Sequence, residues 1–256
     1  MKDIAYYADL LGVDLSETMI EQFTTYRDMV IEKNQVMNLT AITDPEEFAL
    51  KHFADSLSLL PAVPAANIIS SKNVSMIDVG TGAGFPAIPL KIACPNIQLT
   101  LLDSLSKRIK FLDDVITAIN LNGITTIHSR AEEGGRNPKL RDHFDIAVSR
   151  AVASLDVLTE YCLPYVKVGG LFISYKSQDI EEELASSKKA IKLLGGELED
   201  VVRFQLADSD ISRSFVLIRK TKPTPKAYPR KPGTAKREPL KQISLTLYYF
   251  IFFFLR

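Results

Sequence analysis

The most informative segment of the chain reads Ile77-Asp78-Val79-Gly80-Thr81-Gly82-Ala83-Gly84-Phe85-Pro86. The apolar run at 74–76 predicts a short buried strand before it, and residues 87–93 predict a helix after it. A strand, a glycine-rich turn and a helix open a nucleotide-type βαβ unit. Side chains at positions 80 and 82 would hold the backbone away from a ligand that lies across the turn, which explains the glycines there.

The spacing of the glycines indicates which ligand the turn accepts. A dinucleotide fingerprint reads G-x-G-x-x-G, but this chain reads D-x-G-x-G-x-G and has Phe85 in place of the third glycine. The next apolar run ends at Asp103, 25 residues after Asp78. A carboxylate there can accept hydrogen bonds from both ribose hydroxyls of an adenosine and would repel a 2′-phosphate. The pattern resembles motif I of the S-adenosylmethionine (AdoMet) methyltransferases. The alternative is a tight loop without a ligand.

Further motifs, in order along the chain, carry a more specific resemblance. They are Asn38-Leu39-Thr40, Lys51-His52-Phe53-Ala54-Asp55-Ser56-Leu57, the turn continued through Ile88-Pro89-Leu90, Asp103-Ser104 with Lys107-Arg108, Arg130-Ala131-Glu132-Glu133, Phe144-Asp145 with Ser149-Arg150-Ala151-Val152, and Thr224-Pro225-Lys226-Ala227-Tyr228-Pro229-Arg230-Lys231-Pro232-Gly233. From about Tyr6 to Leu240 the chain resembles the bacterial 16S ribosomal RNA (rRNA) guanine-N7 methyltransferase family, also called glucose-inhibited division protein B. It departs from the family pattern at Ala87 and Ser177, where glycine is common.

The strand and helix patterns alternate along the middle of the chain, as a parallel sheet requires. With the resemblance, they predict an α/β fold: a doubly wound, Rossmann-like class I AdoMet methyltransferase sheet with an antiparallel last strand and an N-terminal helical extension. The expected strands are 74–79, 98–103, 124–128, 144–149, 170–175, 198–204 and 214–219, and the expected helices are 86–94, 105–121, 154–163 and 179–194. The expected parts are the extension and linker (1–73), the methyltransferase domain (74–220), a basic proline-rich RNA-binding arm (221–240) and an apolar tail (241–256).

Two helix starts are readable in the N-terminal extension. Ser16 can cap a long helix, and Asp44 followed by Pro45 is an N-cap with proline at the first helical position. The second helix is expected to bury Phe48, Phe53, Leu57 and Leu60 and to end at Pro61 and Pro64.

The net charge of zero hides an uneven distribution. Residues 219–241 contain nine basic residues and one acid, so this segment carries +8 and the remainder of the chain −8. A basic arm on an acidic body indicates an anionic polymer as partner, and a solubilising tail is the alternative.

Composition also bears on the compartment. The two cysteines are far apart and have no CxxC partner, and the first ten residues contain no apolar run, so we expect a cytoplasmic protein. The three histidines lack metal-ligand spacing, so no metal is expected. The apolar run 243–255 has 13 residues, fewer than the roughly 20 that span a bilayer. We interpret it as a non-homologous extension. A membrane-surface anchor is the alternative, but no stable membrane association is expected, and we expect a monomer.

The resemblance assigns a set of binding residues to the cofactor S-adenosyl-L-methionine. The set is Asp78, Gly80, Gly82 and Phe85 near the methionine end, Asp103, Ser104 and Leu105 at the ribose, Ala131 and Glu132 at the adenine, and Arg150 at the opening after the fourth strand. On sequence alone, the alternative for Glu132 is a solvated helix start, and Arg150 is equally the partner of Asp78 or Asp103 in an ion pair.

A second set faces the substrate. The resemblance places His52 and Asp55 there, while Lys176 ends a strand and either meets phosphate or is a plain surface lysine. In the arm, Tyr228 offers a stacking ring, and Arg230 and Lys231 offer phosphate contacts that suit single-stranded or bulged RNA. The alternative for the arm is an ordered crossing segment whose tyrosine packs on the sheet.

The resemblance implies methyl transfer to guanine N7, whose free lone pair needs no general base. Catalysis then depends on alignment, and no catalytic side chain is assigned. The expected substrate is 16S rRNA or the small ribosomal subunit. Two rivals stay open: an AdoMet methyltransferase of a small molecule or protein, and a non-catalytic RNA-binding protein with the same fold.

Overall fold

The protein is built on one seven-stranded sheet. The computed structural model describes residues 2–63, 69 and 73–241. The strands are β1 (Ser75–Val79), β2 (Gln98–Asp103), β3 (Ile124–His128), β4 (Phe144–Arg150), β5 (Val166–Ser177), β6 (Gly196–Gln205) and β7 (Ser212–Lys220), in the order β3-β2-β1-β4-β5-β7-β6. Strands β1 to β5 are parallel, and β7 runs antiparallel to β5 and β6. The predicted α/β sheet with its antiparallel last strand is confirmed.

Helices cover both faces of this sheet. They are α1 (Ile4–Leu11), α2 (Glu17–Met37), α3 (Pro45–Phe48), α4 (Asp55–Leu57), α5 (Leu59–Ala62), α6 (Ala87–Ala93), α7 (Ser106–Ala118), α8 (Ala131–Gly134), α9 (Leu155–Cys162), α10 (Glu181–Leu193) and α11 (Thr234–Arg237). Successive strand residues point to opposite faces, so Met76 joins the core under α2, α6 and α7 while Ile77 joins the core under α9 and α10. Both faces are buried, as a parallel sheet requires.

The two predicted helix starts are confirmed. The Ser16 hydroxyl accepts a hydrogen bond from the backbone N–H of Met19, and the Asp44 carboxylate accepts from the backbone N–H groups of Glu46 and Glu47. The helix after Asp44 differs from the expectation, because it passes through a π-helical turn at Ala49–Ala54 before α4. It also continues to Ala62, so Pro61 lies inside its last turn; Pro64 lies outside the described residues.

The N-terminal helices share a core with the sheet and are tied to it by buried hydrogen bonds. The hydroxyl of Tyr26, on α2, donates to the backbone carbonyl of Ala83 at 2.6 Å. The hydroxyl of Tyr175, on β5, donates to the carbonyl of Ser56 at 3.0 Å. The extension therefore supports the glycine turn from one side, although its helices lie far from the turn in sequence.

The segment after β7 crosses back over the body of the protein; we call residues 221–241 the arm. Arg141 donates to the carbonyls of Thr224 and Tyr228, and Arg136 donates to the carbonyls of Ala227 and Pro229. The arm is thus ordered on the body. The apolar tail lies outside the described residues beyond position 241, and its interpretation stays a prediction. Within the described ranges, no helix combines the length and apolar character needed to cross a membrane.

Candidate functional site: a cleft at the carboxyl ends of the strands

A cleft of about 520 Å³ opens where the strand order reverses, between β1 and β4. Ligands of doubly wound sheets bind at such switch points, at the carboxyl ends of the strands. The residues lining the cleft are Leu39, His52, Val79, Gly80, Thr81, Gly82, Ala83, Phe85, Leu102, Asp103, Ser104, Arg108, Ser129, Arg130, Ala131, Glu132, Arg150, Ala151, Val152, Tyr161, Gly233 and Lys236. The volume lies in the usual range for a small-molecule or cofactor site.

The glycine turn after β1 forms the floor of the cleft. Gly80 and Gly82 have φ angles of +76° and +62°, in the left-handed region that side chains disfavour. A Cβ at Gly80 would lie 2.7 Å from Cγ2 of Val152, so space excludes it as well. A Cβ at Gly82 would meet no protein atom within 4 Å. Because Gly82 lines the cleft, that open space is available to a ligand.

The carboxylate of Asp103, at the end of β2, is held by the backbone around it. Its Oδ2 accepts from the N–H of Gly82 at 3.0 Å, and its Oδ1 accepts from the N–H of Leu105 at 2.9 Å. Arg108 lies 3.4 Å from Oδ2. Asp103 is only 2% exposed. This carboxylate therefore joins the end of β2 to the glycine turn, with further lone pairs open to the cleft.

The start of α8 forms one wall of the cleft. Ala131 and Glu132 line the cleft, and the hydroxyl of Tyr165 donates to the carbonyl of Ala131 at 2.7 Å. The Oε1 of Glu132 accepts from the backbone N–H of Gly233, in the arm, at 2.8 Å. Glu132 is 4% exposed, so it is not the solvated helix start that the sequence left open. Its carboxylate fixes the arm against the cleft.

At the mouth of the cleft, Arg150, His52 and Phe85 form a stack. The His52 and Phe85 rings are nearly parallel, with centroids 4.6 Å apart, and the guanidinium of Arg150 lies 5.1 Å from the Phe85 ring centre. Arg150 pairs with Asp55 at 2.7 Å. The alternative pairing of Arg150 with Asp78 or Asp103 is therefore wrong: the π-helical turn and α4 bring Asp55 closer.

His52 is held in its neutral form. Burial, with a smaller contribution from the charge of Arg150, lowers the pKa of His52 to about 3. A guanidinium only donates, so the Nδ1 of His52, 3.3 Å from Nη2 of Arg150, acts as acceptor. The proton then lies on Nε2, which donates to the Thr40 hydroxyl at 2.7 Å. The cleft mouth thus contains an uncharged imidazole.

Several residues assigned from the sequence do not line the cleft. Asp55 lies behind it, 4% exposed, between Arg150 and Arg213. The Nζ of Lys176 bonds Glu183 and the carbonyl of Ala153, which holds the loop after β4. The others outside the lining are Asp78 beneath the glycine turn, Leu105 with an exposed side chain, half-buried Tyr228 beside the second core, Arg230 paired with Glu160, and exposed Lys231.

Other lining residues were missed by the sequence reasoning. Arg108 and Arg130 stand inside the quoted motifs but were given no role, Lys236 was counted only among the basic residues of the arm, and Tyr161 carried no signal. Ala151, directly after Arg150, has a φ of +57°, a conformation that costs about 1–2 kcal/mol for a residue other than glycine. Such outliers cluster at functional sites.

Beneath the glycine turn, Asp78 is fully buried, and neither carboxylate oxygen has a hydrogen-bond partner within the described chain. The Thr81 hydroxyl lies close by but outside hydrogen-bond geometry. Burial raises the pKa of Asp78 from 3.8 to about 7, although Thr81 and Arg150 act in the opposite direction. Asp78 therefore holds its proton in the folded protein well above the pH at which an exposed aspartate ionises.

Asp78→Asn should change how stability depends on pH. Between about pH 4 and pH 7 the unfolded chain releases the Asp78 proton and the folded chain retains it, so the free energy of unfolding falls as the pH rises. Asparagine removes this contribution. Denaturant unfolding should therefore show the variant gaining stability relative to the unmodified protein from about pH 4 to about pH 8. If the difference in unfolding free energy between the variant and the unmodified protein stays constant across that pH range, the raised pKa of Asp78 is contradicted.

The cleft meets the needs of an adenosine-bearing cofactor. It has a fixed carboxylate at the end of β2 for the ribose, a glycine turn with open space above Gly82, and the wall at Ala131 and Glu132 for the base. AdoMet would be held by these groups and would supply the methyl group for transfer. The fold and the cleft together define a class I AdoMet-dependent methyltransferase.

Comparison with known proteins assigns the family. The sequence profile described as "GidB: rRNA small subunit methyltransferase G" matches residues 19–212. The ribosomal RNA small subunit methyltransferase G of Acetivibrio thermocellus is 53% identical over 229 residues, which cover 90% of this chain and 92% of that protein. The protein of the same name from Lactobacillus johnsonii is 46% identical, covering 93% and 97%. This chain belongs to the rRNA small subunit methyltransferase G family.

A solved structure supports the fold alone. The crystal structure of MtNAS in complex with MTA and tNA superposes with a TM-score of 0.54 at 16% identity, covering 78% of this chain and 74% of that chain.

Proposed function

We propose that this protein transfers the methyl group of AdoMet to N7 of one guanine in 16S rRNA. The observation that carries the proposal is the Asp103 carboxylate, fixed by the Gly82 N–H within a glycine-lined cleft, in a chain of this family. AdoMet, when bound, supplies the electrophilic methyl group, and the protein aligns the two reactants.

The electrostatics of the cleft mouth suit this reaction. Positive charge moves from sulfur to the base as the methyl group is transferred, so a free cation at N7 would oppose the transition state. His52 stays neutral, since its pKa is about 3. The charge of Arg150 is paired with Asp55 at 2.7 Å. Arg213 shares the Asp55 carboxylate, so the uncharged group at the mouth is the His52 ring, beside which a base can lie.

The arm supports RNA as the substrate. Lys222, Lys226, Lys231 and Lys241 are exposed, and none of them has an ion-pair partner among the residues that the structure describes. Lys236 is also exposed and lines the cleft. A polyanion lying along the arm would thus reach the cleft. We also propose that the protein acts in the cytoplasm, as a monomer.

The test is methyl transfer from tritiated AdoMet to 16S rRNA or small subunits from a strain that lacks this enzyme. The proposal predicts label at N7 of a single guanine. Label only on a protein or small molecule would support the first rival function. RNA binding without any label, by a protein that binds AdoMet, would support a non-catalytic role.

A further inference from the structure

The arm is part of the cleft as well as the carrier of the exposed lysines. Gly233 and Lys236 line the cleft, and the N–H of Gly233 bonds Glu132, on the facing wall. Loss of the arm from this position would remove one wall and leave the carboxylate of Glu132 without that donor. A closed cofactor cleft therefore requires a docked arm.

An ion pair with a buried carboxylate helps to hold the arm in this position. The carboxylate of Glu160, on α9, accepts from Nε and Nη2 of Arg230 at 3.0 and 2.6 Å and from the Arg230 backbone N–H at 2.7 Å. Glu160 is 1% exposed. Bidentate, charge-assisted pairs of this kind fix geometry as well as contributing energy.

The rest of the contact between arm and body is partly apolar, because half-buried Tyr228 and Leu240 pack against the second core. The buried residues of the arm are Thr224, Pro229 and Ala235, none of which has a large apolar side chain. Polar anchors are the arm carbonyls bound by Arg136 and Arg141, the Thr224 hydroxyl bonded to the carbonyl of Leu194, and the Gly233 N–H bonded to Glu132. Segments with few buried apolar contacts open at low free-energy cost. Between Arg230 and Lys241 only the small side chain of Ala235 is fully buried, so this part of the arm can exchange between docked and undocked positions while the sheet stays folded.

We propose that Glu160 is a positioning residue that docks the arm through Arg230, so that cofactor binding in the cleft and RNA binding on the arm strengthen each other. Both ligands favour the docked arm, and the coupling must be equal in both directions. This inference rests on the proposed function, because RNA is taken as the ligand of the exposed lysines.

The first test uses the unmodified protein and AdoMet alone. Lys236 and Arg237 are exposed, so trypsin cleavage after them, followed by mass spectrometry, reports the position of the arm. Saturating AdoMet should slow this cleavage several-fold. Unchanged cleavage by a protein that calorimetry shows to bind AdoMet overturns the inference and leaves the methyltransferase function standing. Absence of AdoMet binding overturns both.

The second test compares Glu160→Gln with a matched variant, Glu199→Gln. Glu199 also pairs with an arginine, Arg219, but on the β6–β7 hairpin outside the cleft. Glu160→Gln should weaken AdoMet binding about five- to tenfold, within the usual range of coupling energies. It should also weaken rRNA binding and speed cleavage at Lys236, and Glu199→Gln should change none of these. Equal AdoMet affinity in both variants contradicts the proposal.

Arg230→Lys provides a conservative check of the same contact. Lysine keeps the charge but cannot form the two-point contact with Glu160. The AdoMet affinity of Arg230→Lys should therefore lie between those of the unmodified protein and Glu160→Gln. The thermal unfolding temperature of each variant reports how much the substitution changes stability. AdoMet affinity that follows unfolding temperature alone, with no change in arm cleavage, contradicts a positioning role.

Discussion

Asp103→Ala should weaken AdoMet binding by roughly 1–3 kcal/mol, a loss of about 5- to 150-fold in affinity measured by calorimetry. The carboxylate is 2% exposed and accepts from the N–H groups of Gly82 and Leu105. Alanine removes the acceptor for the ribose hydroxyls and also the link between β2 and the glycine turn. Asp103→Asn keeps one acceptor oxygen, so its AdoMet affinity should lie between those of the unmodified protein and Asp103→Ala.

Asp145→Ala is the matched control for this change. The Asp145 carboxylate also accepts a hydrogen bond from a backbone N–H, that of Ser75 at 3.0 Å. Ser75 is the first residue of β1, so this contact lies away from the cleft. Both alanine variants should lose stability, and only Asp103→Ala should lose affinity for AdoMet. An unchanged dissociation constant for Asp103→Ala would remove this residue from the cofactor site.

Gly82→Ala should reduce AdoMet affinity by about tenfold or more, because the added methyl group projects into space that the cofactor would occupy. The φ of Gly82 is +62°, so alanine also pays about 1–2 kcal/mol in backbone strain. No protein atom lies within 4 Å of the new Cβ. A loss of AdoMet affinity larger than the backbone strain accounts for must therefore come from contact between the new methyl group and the cofactor.

Gly12→Ala separates the two effects. Gly12 follows α1 with a φ of +65°, and its Cβ would likewise meet no protein atom within 4 Å. Both variants should lose similar stability in denaturant unfolding, while Gly12→Ala should bind AdoMet normally. Equal AdoMet affinity in Gly82→Ala and Gly12→Ala would contradict close approach of the cofactor to the turn.

Local patterns in the sequence predicted the parts of the fold that depend on neighbouring residues. The alternating strands and helices, the Asp44 cap and the glycine turn each have signals within a few residues. Asp103 was predicted as the acid that ends the second apolar run, and the structure places it beside the turn after β1, because parallel strands end at the same edge of a sheet. Sequence order and sheet geometry were sufficient for these residues.

The contacts that sequence could not predict join distant segments. Asp55 meets Arg150 from 95 positions away and Arg213 from 158 positions away, and the π-helical turn that orients this region had no readable signal. The count of nine basic residues in 219–241 also included one lysine that a polyanion cannot reach. Lys220 is fully buried, bonded to carbonyls of Leu163 and Val166, and burial lowers its pKa to about 8.

The most direct test of the proposed cofactor site is a crystal structure of the protein soaked with AdoMet. The ribose hydroxyls should lie within hydrogen-bond distance of the Asp103 carboxylate, with the backbone of Gly82 in contact with the cofactor. An empty cleft at saturating AdoMet, or a nucleoside bound away from Asp103, would contradict the proposal.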